Sequence, residues 1–264
     1  MESEVDERLG ARFDRHEVRR RLHDVPPHEV YEVSVDGRRA VYKANVGPTG
    51  SAGVEGRVMR AVGDGTSVPV PEPLVVADDY FVAAWHPDAP APEADHEADE
   101  AWARAAGRGL ATLHDETASM VDAYGAFRPD GALAVRGREE WRAAAIEYVR
   151  ERRPVLARYG HADVADWVLD HLTERPGAFD GAGGPVCCHG WATPEHVAVA
   201  DGEVSVWSTS NTRSPRPAST TTGGRWSRRS APERASPSAC SGRATSRSAR
   251  FRTGSTGGSR ATRC

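Results

Sequence analysis

The sequence predicts an α+β fold of two lobes, a small strand-rich lobe followed by a mainly helical lobe that stays incomplete. Three observations carry this. Alternating segments flank Asp36-Gly37 and Asp78-Asp79, which reads as two strand hairpins. Apolar residues spaced for one face of a helix recur between positions 102 and 172. Beyond position 207 that patterning stops, and residues 208–264 contain no Val, Ile, Leu or Met.

Residues 13–22 are short and charged, and a helix is expected there within an N-terminal helical lead-in over 1–28. Tyr31-Glu32-Val33-Ser34-Val35 alternates, Asp36-Gly37 supplies a tight turn, and Ala40-Val41-Tyr42-Lys43-Ala44 resumes the alternation. Residues 45–53 are a Gly/Pro/Ser loop. A helix is expected over 54–62, with Val54, Val58, Ala61 and Val62 on one side. Residues 74–77 and 80–85 read as strands around Asp78-Asp79. The strand-rich lobe is therefore assigned to 29–86. Residues 86–99 are acidic and rich in Pro and Ala, a natural lobe connection. Trp102, Ala106, Leu110 and Leu113 form a buried stripe on a helix over 102–114. Two more helices are expected over 141–159 and 164–172, and a flexible loop over 177–184. Residues 185–206 read as strand, loop, strand, with Asp201-Gly202 as a second tight turn. The partial second lobe is assigned to 87–207, and a disordered tail to 208–264.

The net charge of −4 is the sum of two unlike segments. Residues 1–207 hold 37 Asp+Glu and 22 Lys+Arg, a net of −15. Residues 208–264 hold one acid, Glu233, and 12 Arg, a net of +11. Lys43 is the only lysine of the chain. An acidic, Lys-poor surface suits a salt-rich cytoplasm, where ions screen its self-repulsion, so a halophilic source is expected. Cys187 and Cys188 are adjacent, and Cys240 and Cys264 lie in the tail. That spacing is no disulfide framework and fits a reducing compartment. The N-terminus is charged, without a signal-peptide core. No apolar run approaches the roughly 18 residues of a membrane span. A cytoplasmic protein without a membrane partner is expected.

Phosphoryl transfer requires held phosphates, a held metal and an oriented acceptor. Val41-Tyr42-Lys43-Ala44, a loop, and Glu55-Gly56-Arg57-Val58-Met59-Arg60 place a strand lysine ahead of a helix glutamate. Val68-Pro69-Val70-Pro71-Glu72-Pro73 follows, then Gly109-Leu110-Ala111-Thr112-Leu113-His114, then Cys188-His189-Gly190 ahead of Val197-Ala198-Val199 and Asp201-Gly202. Taken in this order, the segments resemble the aminoglycoside phosphotransferases, a family of small-molecule kinases. The resemblance implies a protein-kinase-like fold. It also implies transfer of the γ-phosphoryl of ATP (or GTP), with Mg²⁺, to a hydroxyl of a small molecule. Lys43 and Glu55 would then hold the nucleotide, Trp85 and His86 would lie where adenine is contacted, and His189 would shape the catalytic loop.

Two positions depart from the family pattern. Trp191 stands where the catalytic Asp is expected, and His196 where the metal-binding Asn is expected. An indole accepts no proton, and imidazole is a poor Mg²⁺ ligand. Glu195 reads as a solvated loop acid. Cys187-Cys188-His189 with His196 resembles a zinc ligand set only loosely, because adjacent thiolates chelate one tetrahedral ion awkwardly; no metal site is assigned. His114 is assigned to packing. The alternatives are a nucleotide-binding pseudokinase, which Trp191 favours, and a nucleic-acid binder acting through the basic tail. The tail offers few stacking aromatics, Trp226 and Phe251, so nucleic acid is not expected as a partner.

Ser, Thr, Arg, Gly, Ala and Pro make up 51 of the 57 residues of the tail. Such a segment buries too little apolar surface to offset its ordering entropy. With synonymous third bases chosen for residues 208–224, reading from the third base gives D-F-E-H-A-L-A-A-P-G-E-Y-D-Y-W-R. That string resembles the family's metal-binding segment. A frameshift near Val206 or Trp207 is therefore expected, with apolar helix faces left uncovered in the second lobe.

Overall fold

The computed structural model describes residues 2–47, 50–91, 97–128, 135–181, 183–190, 192–208 and 220–222. In the first lobe, strands β1 (His16–Val25), β2 (His28–Val35), β3 (Arg38–Asn45), β4 (Pro73–Val76) and β5 (Tyr80–Ala84) form one sheet. Its order is β1-β2-β3-β5-β4, antiparallel throughout. Helix α1 (Glu2–Gly10) covers one face, where Val5 and Leu9 pack with Tyr31, Val33, Tyr42 and Val82. Helix α2 (Ala52–Gly65) covers the other, where Ala52 and Met59 pack with Phe81 and Ala83. Strand side chains alternate between faces. With Tyr42 and Ala44 on the α1 side, Lys43 is presented to α2.

Residues 13–22 are not a helix. Positions 16–25 form β1, so the sheet begins upstream of the expected boundary at 29, and the helix lies further upstream as α1. The charges of this segment work across a sheet edge instead of around a helix. Arg20 Nε donates to Glu32 Oε2 at 2.8 Å, and Arg39 Nε donates to Glu32 Oε1 at 2.8 Å. The Arg39 and Arg20 hydrogen bonds, against the opposing effect of burial, hold the Glu32 carboxyl below its usual range. An edge strand carries charge that a central one would not.

The second lobe contains α3 (Glu100–Thr117), α4 (Trp141–Arg158) and α5 (Ala162–Glu174). The Asp99 side chain caps α3, accepting from the Trp102 N–H at 2.7 Å. Strands β6 (Tyr124–Phe127) and β7 (Val135–Arg138) form an antiparallel pair that the sequence pattern did not announce. Part of the expected loop at 177–184 is a 3-10 turn, Pro176–Phe179, whose Phe179 ring lies 5.9 Å from that of Trp141. Strand β8 (Pro185–Cys187) precedes β9 (Val197–Ala200) and β10 (Glu203–Trp207). Both Asp-Gly turns form as expected. Asp36 and Gly37 have φ of 48° and 82°, Asp201 and Gly202 of 53° and 78°. Two successive left-handed residues make the turn whose twist matches its flanking strands.

The tail, expected to hold no ordered element, contributes β11 (Thr220–Thr222), antiparallel to β8. Three consecutive β-branched residues suit an extended edge. Residues 209–219 and 223–264 lie outside the described residues. Among the described residues no helix is long and apolar enough to cross a membrane.

One core joins α2 to the second lobe. Val54, Val58 and Val62 pack in a cluster with Ala106, Leu113, Val197 and Trp207. Trp102 Nε1 donates to the Val197 carbonyl at 2.9 Å, tying α3 to β9. A Cβ at Gly109 would stand 2.8 Å from Val204 Cγ2 and 3.0 Å from Trp207 Cζ2, so the glycine lets α3 press onto β10.

Candidate functional site

Lys43 and Glu55 meet where β3 faces α2. Lys43 Nζ lies 2.5 Å from Glu55 Oε2, and the side chains are 1% and 7% exposed. Two charges taken this far from water need good geometry and further hydrogen bonds to be tolerated. Glu55 has such support. Ser51 Oγ donates to its Oε1 at 3.2 Å. The first amides of α2 have no intrahelical acceptor, and two strand residues supply one each. His28 Nε2 accepts from the Ser51 N–H at 3.0 Å, and Asn45 Oδ1 accepts from the Ala52 N–H at 2.8 Å. His28 and Asn45 are cross-strand partners in the β2–β3 register.

Accepting at Nε2 leaves the His28 proton on Nδ1 and the ring neutral. Burial first, then the charge of Lys43, pushes the His28 pKa down to about 3. The 3.7 Å approach of His28 Nε2 to Glu55 Oε1 is therefore not an ion pair at neutral pH.

Two glycines let α2 come close enough for this. A Cβ at Gly53 would run into the carbonyl oxygens of Asp78 and Ala77, and one at Gly56 would stand 2.8 Å from Phe81 Cβ. They are three residues apart, on one side of the helix.

Trp85 follows the end of β5. Its N–H donates to the Arg39 carbonyl at 2.9 Å, and the Arg39 guanidinium carbon lies 3.6 Å over its ring. His86 Nδ1 accepts from the Asp88 N–H at 3.3 Å. Lys43 is paired with Phe81 in the sheet. Trp85 is thus offset along the strand from the lysine by roughly 13 Å at ordinary strand rise.

His189 and His196 are brought together, with ring centroids 6.3 Å apart, and the His189 ring lies 5.0 Å from that of Trp207. His196 is fully buried. Its N–H donates to the Thr193 carbonyl at 2.9 Å, and its carbonyl accepts from the Ser208 N–H at 2.7 Å. Gly190 turns the loop at φ 76°. Trp191 lies outside the described residues. Nearby, Cys188 Sγ is 3.4 Å from His114 Nε2. Burial, with the neighbouring Cys188, pushes the Cys187 thiol up to about 12, and burial lowers the His114 pKa. Cys187 and His114 are therefore neutral packing groups at pH 7.

The loop does not fit Mg²⁺. At position 196 it carries a buried imidazole, and hard cations prefer oxygen. Among the described residues no group of three or more His, Cys, Asp or Glu is placed to hold a metal.

No protein-family model matches the chain, and no curated protein matches its sequence. Solved structures do. The aminoglycoside phosphotransferase APH(4)-Ia aligns at 16% identity and a TM-score of 0.56, covering 77% of this chain and 69% of that one. A thermostable mutant of it, in a ternary complex with AMP-PNP and hygromycin B, aligns at 16% identity with a TM-score of 0.55, over 77% and 69%. The macrolide 2'-phosphotransferase MphH from Brachybacterium faecium aligns at 22% identity with a TM-score of 0.54, over 85% and 75%. The fold is protein-kinase-like. In the kinase-like fold of protein kinases a lysine on the third strand pairs with a glutamate of the next helix. Lys43 on β3 and Glu55 on α2 occupy that relation.

The residues that support the pair, His28, Asn45, Ser51, Gly53 and Gly56, were not singled out from the sequence. Two signals for them were present. Ser51, immediately before α2, is a helix-start residue type, and Gly53 and Gly56 sit at helical spacing where a helix interior normally avoids glycine.

Proposed function

We propose that this chain binds ATP (or GTP) as a protein of the small-molecule phosphotransferase type, and does not itself transfer the phosphoryl group. The observation that carries the reading is the buried Lys43–Glu55 pair at 2.5 Å, made by the only lysine in the chain. Lysine is a compact point charge suited to phosphate oxygens. In this reading Lys43 meets the phosphates, and the base end of the nucleotide lies toward Trp85 and His86. The fold neighbours crystallised with AMP-PNP or ADP, together with hygromycin B, support a nucleotide and a small-molecule acceptor as the ligand classes of the fold.

The transfer step lacks its groups. A carboxylate that orients the acceptor hydroxyl is replaced by Trp191, and the metal ligand by His196, whose ring is buried. Nucleotide binding is therefore assigned to the Lys43 end alone, without a protein-held Mg²⁺. The out-of-frame reading of residues 208–264 belongs to the same proposal: the frame changes near Val206 or Trp207, in a halophilic, cytoplasmic protein.

Titration with a fluorescent ATP analogue tests the binding. Saturable binding is expected, little changed by EDTA and weakened at least roughly tenfold by Lys43→Ala. Circular dichroism of the variant checks that it is folded. Equal binding by folded Lys43→Ala protein would remove the reading, and so would phosphoryl transfer by the wild-type chain. The DNA around codon 207 tests the frame.

A further inference from the structure

Two helices of this chain bury few of their residues fully. In α4 only Ala144 is buried, and in α5 only Ala165 and Leu172. Every large apolar side chain that stands exposed among the described residues belongs to this helical hairpin: Tyr148, Val155, Tyr159, Val164 and Trp167. Tyr159 and Trp167 are 75% and 68% exposed. The spacing is regular. Tyr148, Val155 and Tyr159 follow i, i+7, i+11, and Val164, Trp167 and His171 follow i, i+3, i+7, with the Trp167 and His171 rings 5.6 Å apart. These are stripes of the kind that helices bury against other helices. Isolated helices of this length are marginal without such burial.

The charges say what fits the stripes. Helix α4 carries five arginines against Glu147 and Glu151, whereas α5 carries Asp163, Asp166, Asp170 and Glu174 with no Lys or Arg. Some of this charge is used within the hairpin, since Arg153 donates to both oxygens of Asp166 at 2.6 and 2.8 Å. Arg158 on α4, and Asp163 and Asp170 on α5, are exposed and flank the stripes. A surface with one basic and one acidic half is complementary to itself under a two-fold rotation. Laying α4 on a second α4 would oppose like charges; laying it on a second α5 opposes unlike ones.

The geometry points to a two-fold homodimer through the α4–α5 hairpin, with α4 of each copy seated on α5 of the other. Tyr159 and Trp167 are its apolar centre, since aromatic side chains dominate such contacts. The arginines and acids form the rim and fix the pairing. This interface is independent of nucleotide binding at Lys43.

Sedimentation velocity of the full chain over about a hundredfold range of concentration tests it. A reversible monomer–dimer equilibrium is expected. Tyr159→Ser with Trp167→Ser should raise the dissociation constant at least roughly tenfold. Both side chains are exposed in the single chain, so far-UV circular dichroism of the variant should be unchanged. Arg158→Glu should also weaken the dimer, and adding Asp163→Arg with Asp170→Arg should restore it. Three results would each overturn the proposal: a monomer at every concentration, growth without a fixed size, or a dimer indifferent to the serine pair and to the charge reversals.

Discussion

Helices α2 and α5 are nearly equal in length, at 14 and 13 residues, yet eight residues of α2 are buried and two of α5. Helix α2 lies between two cores. Ala52 and Met59 face the sheet, and Val54, Val58 and Val62 face the second lobe. Helix α5 packs on α4, which itself buries one residue, and on the short Pro176–Phe179 turn. Both helices are amphipathic, so the difference lies in what surrounds each one. Around α2 the sequence supplies every partner: strands, glycines, a capping Asn and a neutral His. Downstream of α5 the sequence passes at residue 208 into a segment without Val, Ile, Leu or Met. An apolar stripe is stabilising only where another part of the sequence, or another chain, provides its counterpart.

The contrast can be broken first at its strongest point. Lys43→Ala or Glu55→Ala leaves one charge buried and uncompensated, an expected loss of about 3–5 kcal/mol in urea unfolding. The double change Lys43→Met with Glu55→Leu should recover most of that loss. Next come the glycines that admit α2. Gly56→Ala places a methyl against Phe81, and Gly53→Ala against backbone carbonyls, with an expected cost of about 1–3 kcal/mol each.

His28 gives a pH-dependent effect. Its pKa falls from 6.5 to about 3 on folding. Between those values the unfolded chain binds the extra proton, so stability rises with pH, by up to about 1.4 kcal/mol per unit. The contribution is complete above pH 6.5 and lost as pH falls toward 3. His28→Gln should flatten that part of the profile. The smallest effect is expected at the hairpin. Trp167→Ser should alter monomer stability by less than about 0.5 kcal/mol, as for an ordinary surface site. Amide exchange sharpens the same comparison: α2 amides should be far better protected than those of residues 150–158. Equal protection would mean that burial does not separate the two regions.

Elements of both lobes were legible where their signals are local. Asp36-Gly37 and Asp201-Gly202 dictate turns by their own backbone preferences, and the stripe Trp102, Ala106, Leu110, Leu113 announces α3 by spacing alone. β1 was not legible, since its charges pair across an edge that only tertiary structure defines. Tyr124-Gly125-Ala126-Phe127 is short and contains a glycine, so β6 carried no period long enough to read. At the site, Lys43 and Glu55 were legible because one lysine in an arginine-using chain is conspicuous. His28 and Asn45 were not, because their role depends on strand register bringing residues 17 apart in sequence to one helix end.

Helix α2 belongs to both interiors, and this has a mechanical consequence. Swinging the two lobes apart as rigid bodies would tear Val54, Val58 and Val62 away from Leu113, Val197 and Trp207, or Ala52 and Met59 away from Phe81. Heating should therefore melt the sheet and the β9–β10 pair together, in one calorimetric peak. A push on Glu55 from the Lys43 side would be felt at Trp207 through a single stiff rod.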